Sequence, residues 1–157
     1  MSIAVPETTR ILAIRHGETA WNVAARLQGH LDIALNDTGR AQARQVASAL
    51  HQQPVTAIYS SDLVRALETA RTIAAALGCP LHSEADLRER AFGFFEGKTH
   101  AELEAWHPQE ARLWREREPD FAPVGGESLR QFFARIVAVT ARLAARHSGE
   151  LIVLVAH

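Results

Sequence analysis

A histidine preceded by an arginine stands directly after a short apolar run. The run is Ile11 to Ile14, and Arg15, His16 and Gly17 follow it. A neutral imidazole is a nucleophile that can take a phosphoryl group covalently, and a guanidinium compensates charge on the phosphate oxygens. Nearby cations lower the pKa of an imidazole, so we expect His16 to be neutral in the resting protein. These residues predict a phosphoryl-transfer site with His16 as its nucleophile.

Two other polar segments also follow apolar runs. Residues 60–65 follow the run 55–59, and His157 follows the run 151–155. If the three runs are parallel strands, their carboxyl ends meet at one edge of a sheet, which is where ligands bind in such folds. We therefore expect both segments to converge on His16 and to add cationic or protonatable side chains to a phosphate site.

Arg65 lies about one turn into a predicted helix that starts after Ser61 or Asp62. From there its guanidinium can turn back toward the helix N-terminus, where backbone N–H groups already favour anions. The alternative for Arg65 is a solvated ion pair with Glu68, which would contribute only about 0.3 kcal/mol to helix stability. Its place next to residues 60–62 favours the phosphate site.

The three strand candidates alternate with long amphipathic helices. Capping residues at 36–39, 60–62 and 127–128 predict the helix starts, and Gly78 and Gly149 predict the ends of the last two helices. Strands alternating with helices of this length are typical of an α/β fold. We expect a three-layer α/β/α architecture with a mostly parallel central sheet.

The pattern weakens from Leu81 to about Gly126, and residues 91–126 are predicted to form a lid insertion. Two short helices are expected within the lid, around 99–106 and 108–117. Aromatic residues are scattered among the charges of this segment. We expect them to pack the lid, with the alternative that some line a substrate pocket. They are Phe92, Phe94, Phe95, Trp106 and Trp114.

Several groups of residues follow one another in an order that resembles a known family. They are Arg15-His16-Gly17-Glu18-Thr19-Ala20-Trp21-Asn22, Arg26-Leu27-Gln28-Gly29, Ser60-Ser61-Asp62-Leu63-Val64-Arg65, Leu87-Arg88-Glu89-Arg90, Gly125-Gly126-Glu127-Ser128 and Val153-Leu154-Val155-Ala156-His157. This series resembles the signature of the histidine phosphatase superfamily, the phosphoglycerate mutase-like proteins. The resemblance spans nearly the whole chain, and it implies a phosphoglycerate mutase-like fold.

The resemblance also implies a role for each matching residue. His16 would be the phosphorylated nucleophile and Glu89 the proton donor to the leaving oxygen. The alternative for Glu89, which stands between two arginines, is an exposed charged turn. The other implied site residues bind the phosphate: Arg15, Asn22, Gln28, Gly29, Arg65 and His157.

The site motif is shared by phosphatases and mutases, which differ in the acceptor of the phosphoryl group. The mutases carry a lid tyrosine whose place is taken here by Phe92, and Lys98 lies nearer Glu89 than their lysine. Trp114-Arg115 is followed by Glu116, where the mutases have a second arginine. We therefore favour a phosphomonoester hydrolase of a small phosphorylated metabolite, from the branch that includes α-ribazole phosphatases. The alternatives are a cofactor-dependent phosphoglycerate mutase and an inactive module that binds phosphorylated ligands.

Composition is that of an ordinary globular chain. Of the 157 residues, 47% are hydrophobic, and 17 Lys and Arg balance 18 Asp and Glu, so nothing points to a nucleic-acid partner. This length predicts a single domain, residues 1–157. The histidines show no metal-ligand spacing, so we expect neither a metal nor another cofactor. The sequence leaves a monomer and a homodimer open.

Three further expectations concern location and the chain end. The segment from Met1 to Arg10 lacks the features of a signal peptide, and no run approaches a membrane span of about 20 apolar residues. The lone Cys79 has no partner for an internal disulfide, and we expect a cytoplasmic protein. The resembling family continues past the position of His157 with glycines and another helix, so we expect the polypeptide to continue as well.

Overall fold

Four parallel strands form the centre of the molecule in the computed structural model, which describes residues 8–157. The strand order in the sheet is β1-β4-β2-β3. Arg15 at the end of β1 pairs with Ala156, and Ser60 at the end of β2 pairs with Val155, so three strand ends share one edge of the sheet. The strands are β1 Arg10–Arg15, β2 Val55–Ser60, β3 Leu81–Ser83 and β4 Leu151–Ala156.

Helices cover both faces of this sheet. Two long helices, α2 and α3, pack together on one face, and α6 covers the other. The predicted α/β/α fold with a parallel sheet is thereby confirmed. The helices are α1 Ala20–Val23, α2 Asp37–Leu50, α3 Val64–Leu77, α4 His100–Trp106, α5 Pro108–Arg115 and α6 Leu129–Ala144.

The central strand β4 supplies both halves of the core. Val153 and Val155 face α2 and α3, while Ile152 and Leu154 face α6. This alternation is the two-residue period of a strand, and it explains why β4 is aliphatic at every position. No helix between residues 8 and 157 is long and apolar enough to cross a membrane.

The structure adds two elements and shortens a third. Strand β3 and helix α1 were not expected, because three or four residues are too few to show a hydrophobic period. Helix α6 ends at Ala144, so the prediction that Gly149 ends it is wrong. Gly149 instead has a positive φ of 77° in the turn before β4, a backbone conformation that glycine adopts without strain. The prediction about the N-terminal leader falls largely on residues 1–7, which lie outside the described residues.

The start of helix α3 also differs from the prediction. Its N-cap residue is Leu63, and neither Ser61 nor Asp62 caps it with a side chain. The cap comes from a distant loop instead, because the backbone N–H of Val64 donates to Oδ1 of Asp32 at 2.6 Å. This bond attaches the loop around residue 32 to the helix that carries the predicted phosphate-binding arginine.

The predicted lid forms a small core of its own. Helices α4 and α5 lie close to the positions expected for them. The fully buried Phe95 packs against Leu103 of α4 and Ala111 of α5. Trp114 meets the rings of Phe92 and Phe95 edge-on. Most of the lid aromatics therefore pack the lid, as expected.

Candidate active site

Two neighbouring elements hold the backbone of His16 at the end of β1. The N–H of His16 donates to the carbonyl of Ala156 in β4 at 2.9 Å. The N–H of Gly17 donates to Oγ1 of Thr69 in α3 at 3.0 Å. These bonds fix the backbone of His16 at the end of β1, and the residue as a whole is 8% exposed.

Glycine is required where the loop after β1 crosses the start of α2. A Cβ atom at Gly17 would lie 2.4 Å from the carbonyl oxygen of Gly39, and one at Gly39 would lie 2.1 Å from the carbonyl oxygen of Glu18. Both distances are shorter than two non-bonded atoms can approach each other, so a side chain at either position would displace the backbone. Both glycines belong to the sequence motifs, but only the structure shows that they serve one backbone contact.

The hydrogen bonds of His16 define its reactive nitrogen. Its Nδ1 lies 2.7 Å from the carbonyl oxygen of Gly17. A carbonyl only accepts hydrogen bonds, so Nδ1 carries the proton and Nε2 keeps its lone pair. Burial, with smaller contributions from Arg65 and Arg15, lowers the pKa of His16 to about 4. The expected neutral state is confirmed, but its main cause is burial and not the neighbouring cations.

Arg65 lies close enough to His16 for its charge to act on the imidazole, and it is 1% exposed. Its Nη2 donates to the carbonyl of Gly29 at 2.8 Å and its Nη1 to the carbonyl of Leu31 at 2.9 Å. Among residues 8–157 its Nε finds no hydrogen-bond partner. The alternative of a solvated pair with Glu68 is wrong, because Glu68 pairs with Arg40 at 2.7 Å. A buried guanidinium with an unused N–H favours an anionic ligand.

His157 follows β4 and faces His16, with 5.1 Å between the ring centroids. Its Nε2 lies 3.0 Å from Oγ of Ser61, and its Nδ1 is buried without a partner among the described residues. Burial and then the charge of Arg65 lower the pKa of His157 to about 2, so it is neutral. Ser61 accepts the N–H of Leu63 and can donate its own proton to Nε2, which leaves Nδ1 as an N–H donor. The sequence did not assign this role to Ser61.

A polar cleft of about 300 Å³ opens above the histidine. Its lining residues are Arg15, His16, Glu18, Asn22 and Gln42. Oδ1 of Asn22 accepts the backbone N–H of Thr19 in a capping box, so the amide N–H groups of Asn22 remain as donors. The cleft thus presents a guanidinium and an amide beside the nucleophilic nitrogen.

The two remaining predicted phosphate ligands contact neighbouring protein groups. Gln28 is 8% exposed, and its Oε1 lies 3.0 Å from the hydroxyl of Thr19. Gly29 has a φ of 51°, and its carbonyl accepts from Arg65. Gln28 thus contacts the N-cap of the helix that carries Asn22, and Gly29 binds Arg65, while direct contact of either residue with phosphate stays a prediction.

Glu89 is half-buried between two anchored arginines. Arg88 donates to Asp62 at 2.6 Å, and Arg90, 6% exposed, donates to the carbonyl of Glu127 at 2.8 Å. The guanidinium of Arg90 also lies 4.5 Å from the centre of the Trp114 ring. The alternative of an exposed charged turn is therefore wrong for this segment.

The carboxylate of Glu89 is close enough to act on the site electrostatically. Burial lowers the pKa of Arg65, and the first carboxylate that opposes this shift is Glu89. The structure thus brings Arg15, His16, Arg65 and His157 together and places Glu89 within charge range of them. Within residues 8–157 no group of three or more His, Cys, Asp and Glu side chains could hold a metal ion.

Known proteins with similar sequences include mutase-like proteins and phosphatases. A phosphoglycerate mutase-like protein 4 from Arabidopsis thaliana is 42% identical over 94% of this chain and 65% of its own length. A metal-independent phosphoserine phosphatase from the same plant is 39% identical over 96% of this chain and 65% of its own length. The chain therefore spans slightly less than two thirds of the length of these relatives.

A solved structure supports the same relationship. A mycobacterial glucosyl-3-phosphoglycerate phosphatase in complex with VO3 superimposes with a TM-score of 0.85 at 38% identity, over 92% of this chain and 73% of that one. Residues 11–157 match the family model of the histidine phosphatase superfamily, branch 1. By fold, sequence and the arrangement of its histidines and arginines, the chain belongs to the histidine phosphatase superfamily.

Proposed function

We propose that the protein hydrolyses phosphate monoesters of a small metabolite through a phosphohistidine formed on His16. The observation that carries this proposal is the tautomer of His16. Its Nδ1 proton is bonded to the carbonyl of Gly17, and among the described residues Nε2 has no hydrogen-bond partner. A free imidazole nitrogen beside a buried, incompletely bonded Arg65 is the arrangement that an attack on phosphorus requires.

The reaction proceeds in two balanced steps. Nε2 of His16 forms a bond to phosphorus as the bond to the leaving oxygen breaks, and Glu89 gives that oxygen its proton. Water then attacks the phosphohistidine, Glu89 takes a proton from the water, and the nitrogen–phosphorus bond breaks to release phosphate. Throughout, Arg15, Arg65 and the Nδ1–H of His157 stabilise charge on the equatorial oxygens. Asn22 adds a further donor from the cleft wall.

The lid contacts support hydrolysis over mutase activity. A mutase must also hold the carboxylate of its substrate, which calls for free basic groups in the lid. Here the ammonium group of Lys98 donates to the carbonyl of Phe94, and Arg115 pairs with Glu104 at 2.7 Å. Phe92 packs against Trp114. Relatives named as phosphatases of phosphoserine and of glucosyl-3-phosphoglycerate support the same choice and the class of substrate.

We also propose where and in what form the protein acts. We infer that it is a single-domain cytoplasmic protein, a monomer or homodimer, whose partner is a small metabolite and neither nucleic acid nor membrane. The balance of acidic and basic residues and the unpaired thiol of Cys79 support this setting.

Replacing His16 by alanine tests the function. We expect H16A to lose at least about a hundredfold in phosphate release from p-nitrophenyl phosphate and from phosphoserine, because no covalent intermediate forms. The exposed His51 supplies the control, and H51A should retain wild-type turnover. An alkaline quench, in which the acid-labile phosphohistidine survives, should trap phosphoprotein in the wild type and none in H16A, and persistent labelling of H16A would exclude His16 as the nucleophile.

Two further assays separate the alternatives. A mutase would interconvert 3- and 2-phosphoglycerate faster than it releases phosphate from them. An inactive binding module would bind phosphoserine equally well in the wild type and in H16A without any release of phosphate. Either result would replace the proposed hydrolysis.

A further inference from the structure

An arginine on helix α6 holds the segment that carries Glu89. Arg135 donates from Nη1 to the carbonyls of Asp86 at 2.8 Å and Arg88 at 3.0 Å, and from Nη2 to the carbonyl of Glu89 at 3.2 Å. Its side chain is 20% exposed. One guanidinium therefore binds three carbonyls within four residues, the last of them on the predicted acid itself.

The same guanidinium is fixed from its other side by Glu127. Nε of Arg135 donates to Oε1 at 2.9 Å, and Nη2 donates to Oε2 at 2.7 Å, which is a bidentate pair. Oε2 of Glu127 also accepts the backbone N–H of Ala91 at 2.9 Å. The Arg135–Glu127 pair thus bonds to the backbone on both sides of Glu89, at Arg88 and at Ala91. Charge-assisted, bidentate bonds of this kind fix geometry better than single neutral ones.

A second group reaches the carbonyl of Glu89 from the loop beside Arg65. Nε2 of His30 donates to this carbonyl at 2.9 Å, and the backbone N–H of His30 donates to Glu96 at 2.9 Å. The peptide from which the Glu89 side chain extends is therefore held by two elements that are distant in sequence. No comparable set of bonds is needed merely to close a turn.

We propose that Arg135 is a positioning residue that holds Glu89 at the distance from which it can protonate the leaving oxygen. This inference rests on the proposed function. A proton donor must lie within hydrogen-bond reach of the atom it protonates, and a displacement of about 1 Å costs about a hundredfold in rate. Among residues 8–157, Arg135 contacts the segment that carries Glu89, the carboxylate of Glu127 and the ring of Phe132 on its own helix.

The choice of leaving group separates this role from general support of the fold. A nitrophenolate leaves without a proton, whereas the alkoxide of β-glycerol phosphate leaves only when an acid protonates it. Loss of the acid, or of its position, therefore lowers kcat/KM for the second ester and spares it for the first, because kcat/KM reports formation of the phosphohistidine and not its later hydrolysis. The ratio of kcat/KM for the two esters is also independent of how much of a variant is folded.

The experiment measures this ratio in the wild type, R135Q, R135K and E89Q. R142Q is the matched control, because Arg142 lies on the same helix and pairs with the side chains of Glu84 and Asp86 without binding the carbonyl of Glu89. We expect E89Q to lose about a hundredfold or more on β-glycerol phosphate and R135Q about tenfold, each with less than about a threefold loss on p-nitrophenyl phosphate.

Two further results are expected if Arg135 acts through Glu89. R135K, which keeps the charge and part of the bonding, should recover part of the loss. The double variant R135Q/E89Q should be no slower on β-glycerol phosphate than E89Q alone. R142Q should keep the wild-type ratio.

Equal losses on both esters, or an unchanged ratio in R135Q, would overturn the positioning role while leaving the proposed function intact. A further tenfold loss in the double variant would overturn it too. A wild type that releases phosphate from neither ester would instead refute the proposed function, and the role of Arg135 in it would be refuted together with it.

Discussion

At the scale of single residues, the site depends on how a histidine is kept unprotonated. His16 and His157 are both neutral, since burial is the largest cause that lowers each pKa. The bond from Nδ1 to Gly17 then leaves Nε2 of His16 as the reactive nitrogen. Burial therefore keeps the proposed nucleophile unprotonated, and the arginines contribute less to that state than to the charge balance of the proposed phosphate site.

Acid should destabilise the fold through His16. Its pKa is about 4 in the folded protein against an ordinary 6.5, so between these values the unfolded chain binds a proton that the folded chain does not. Stability contributed by this group is complete above pH 6.5 and is lost as the pH falls. We expect the wild type to lose about 2 kcal/mol more than H16N between pH 7 and about pH 5, measured by urea unfolding. H51N, changed at an exposed histidine, should behave as the wild type, and equal losses in H16N and the wild type would contradict the assignment.

At the scale of elements, the strand ends are positioned by contacts between loops. The loop after β1 crosses the start of α2 at Gly17 and Gly39, and Asp32 caps α3 from another loop. These contacts bring His16, the buried Arg65 and the carbonyls that bind Arg65 together. Substitutions in the loops should therefore affect the site through the backbone.

Two opposing effects determine how Gly39→Ala changes the free energy of unfolding. Alanine inside a helix is favoured over glycine by about 1 kcal/mol, but here its Cβ would lie 2.1 Å from the carbonyl oxygen of Glu18. The backbone must shift to relieve the clash, at a cost of about 1–3 kcal/mol. We expect net destabilisation in urea unfolding together with a slower rate of the proposed phosphate release, because the shift reaches His16. If the variant were more stable than the wild type, the loop that carries Glu18 would be able to move away from the new Cβ atom without loss of stability, contrary to this prediction.

At the scale of the whole molecule, one strand unites two cores. β4 lies between β1 and β2 and buries side chains on both faces, so the packing of α6 on one face supports the position of His157 at the strand end. Helix α6 also carries Arg135, so the same helix closes the core and bonds to the segment that carries Glu89. The packing of the core and the backbone position of Glu89 thus both depend on α6.

Leu143 and Val137 on α6 offer a matched test of this core. Leu143 is fully buried against the sheet, and Val137 is 48% exposed. We expect L143A to lower the free energy of unfolding by about 2–5 kcal/mol, since it removes apolar contact and leaves a cavity. V137A should change it by less than about 0.5 kcal/mol. Similar effects of the two substitutions would mean that α6 does not seal the core as described.

The sequence by itself determined the fold class, the position of His16 after the first strand and the convergence of three strand ends. Those features follow from apolar runs and from residues adjacent to them, which are local properties. The order of the strands, the short β3 and the start of α3 depended on pairing and capping between distant segments. A cap supplied by Asp32 to Val64 leaves no trace in the local pattern around the helix.

Only the tertiary structure decided which nitrogen of His16 is free, how Arg65 is held and what fixes Glu89. Each depends on hydrogen bonds and burial that exist only once the chain is packed. From the residue types around Glu89, an exposed charged turn remained an alternative to an active-site role, because the sequence does not show which groups Arg88 and Arg90 contact. In the folded chain Arg88 and Arg90 have hydrogen-bond partners. Arg135, which lies 46 positions from Glu89 in the sequence, donates to its carbonyl.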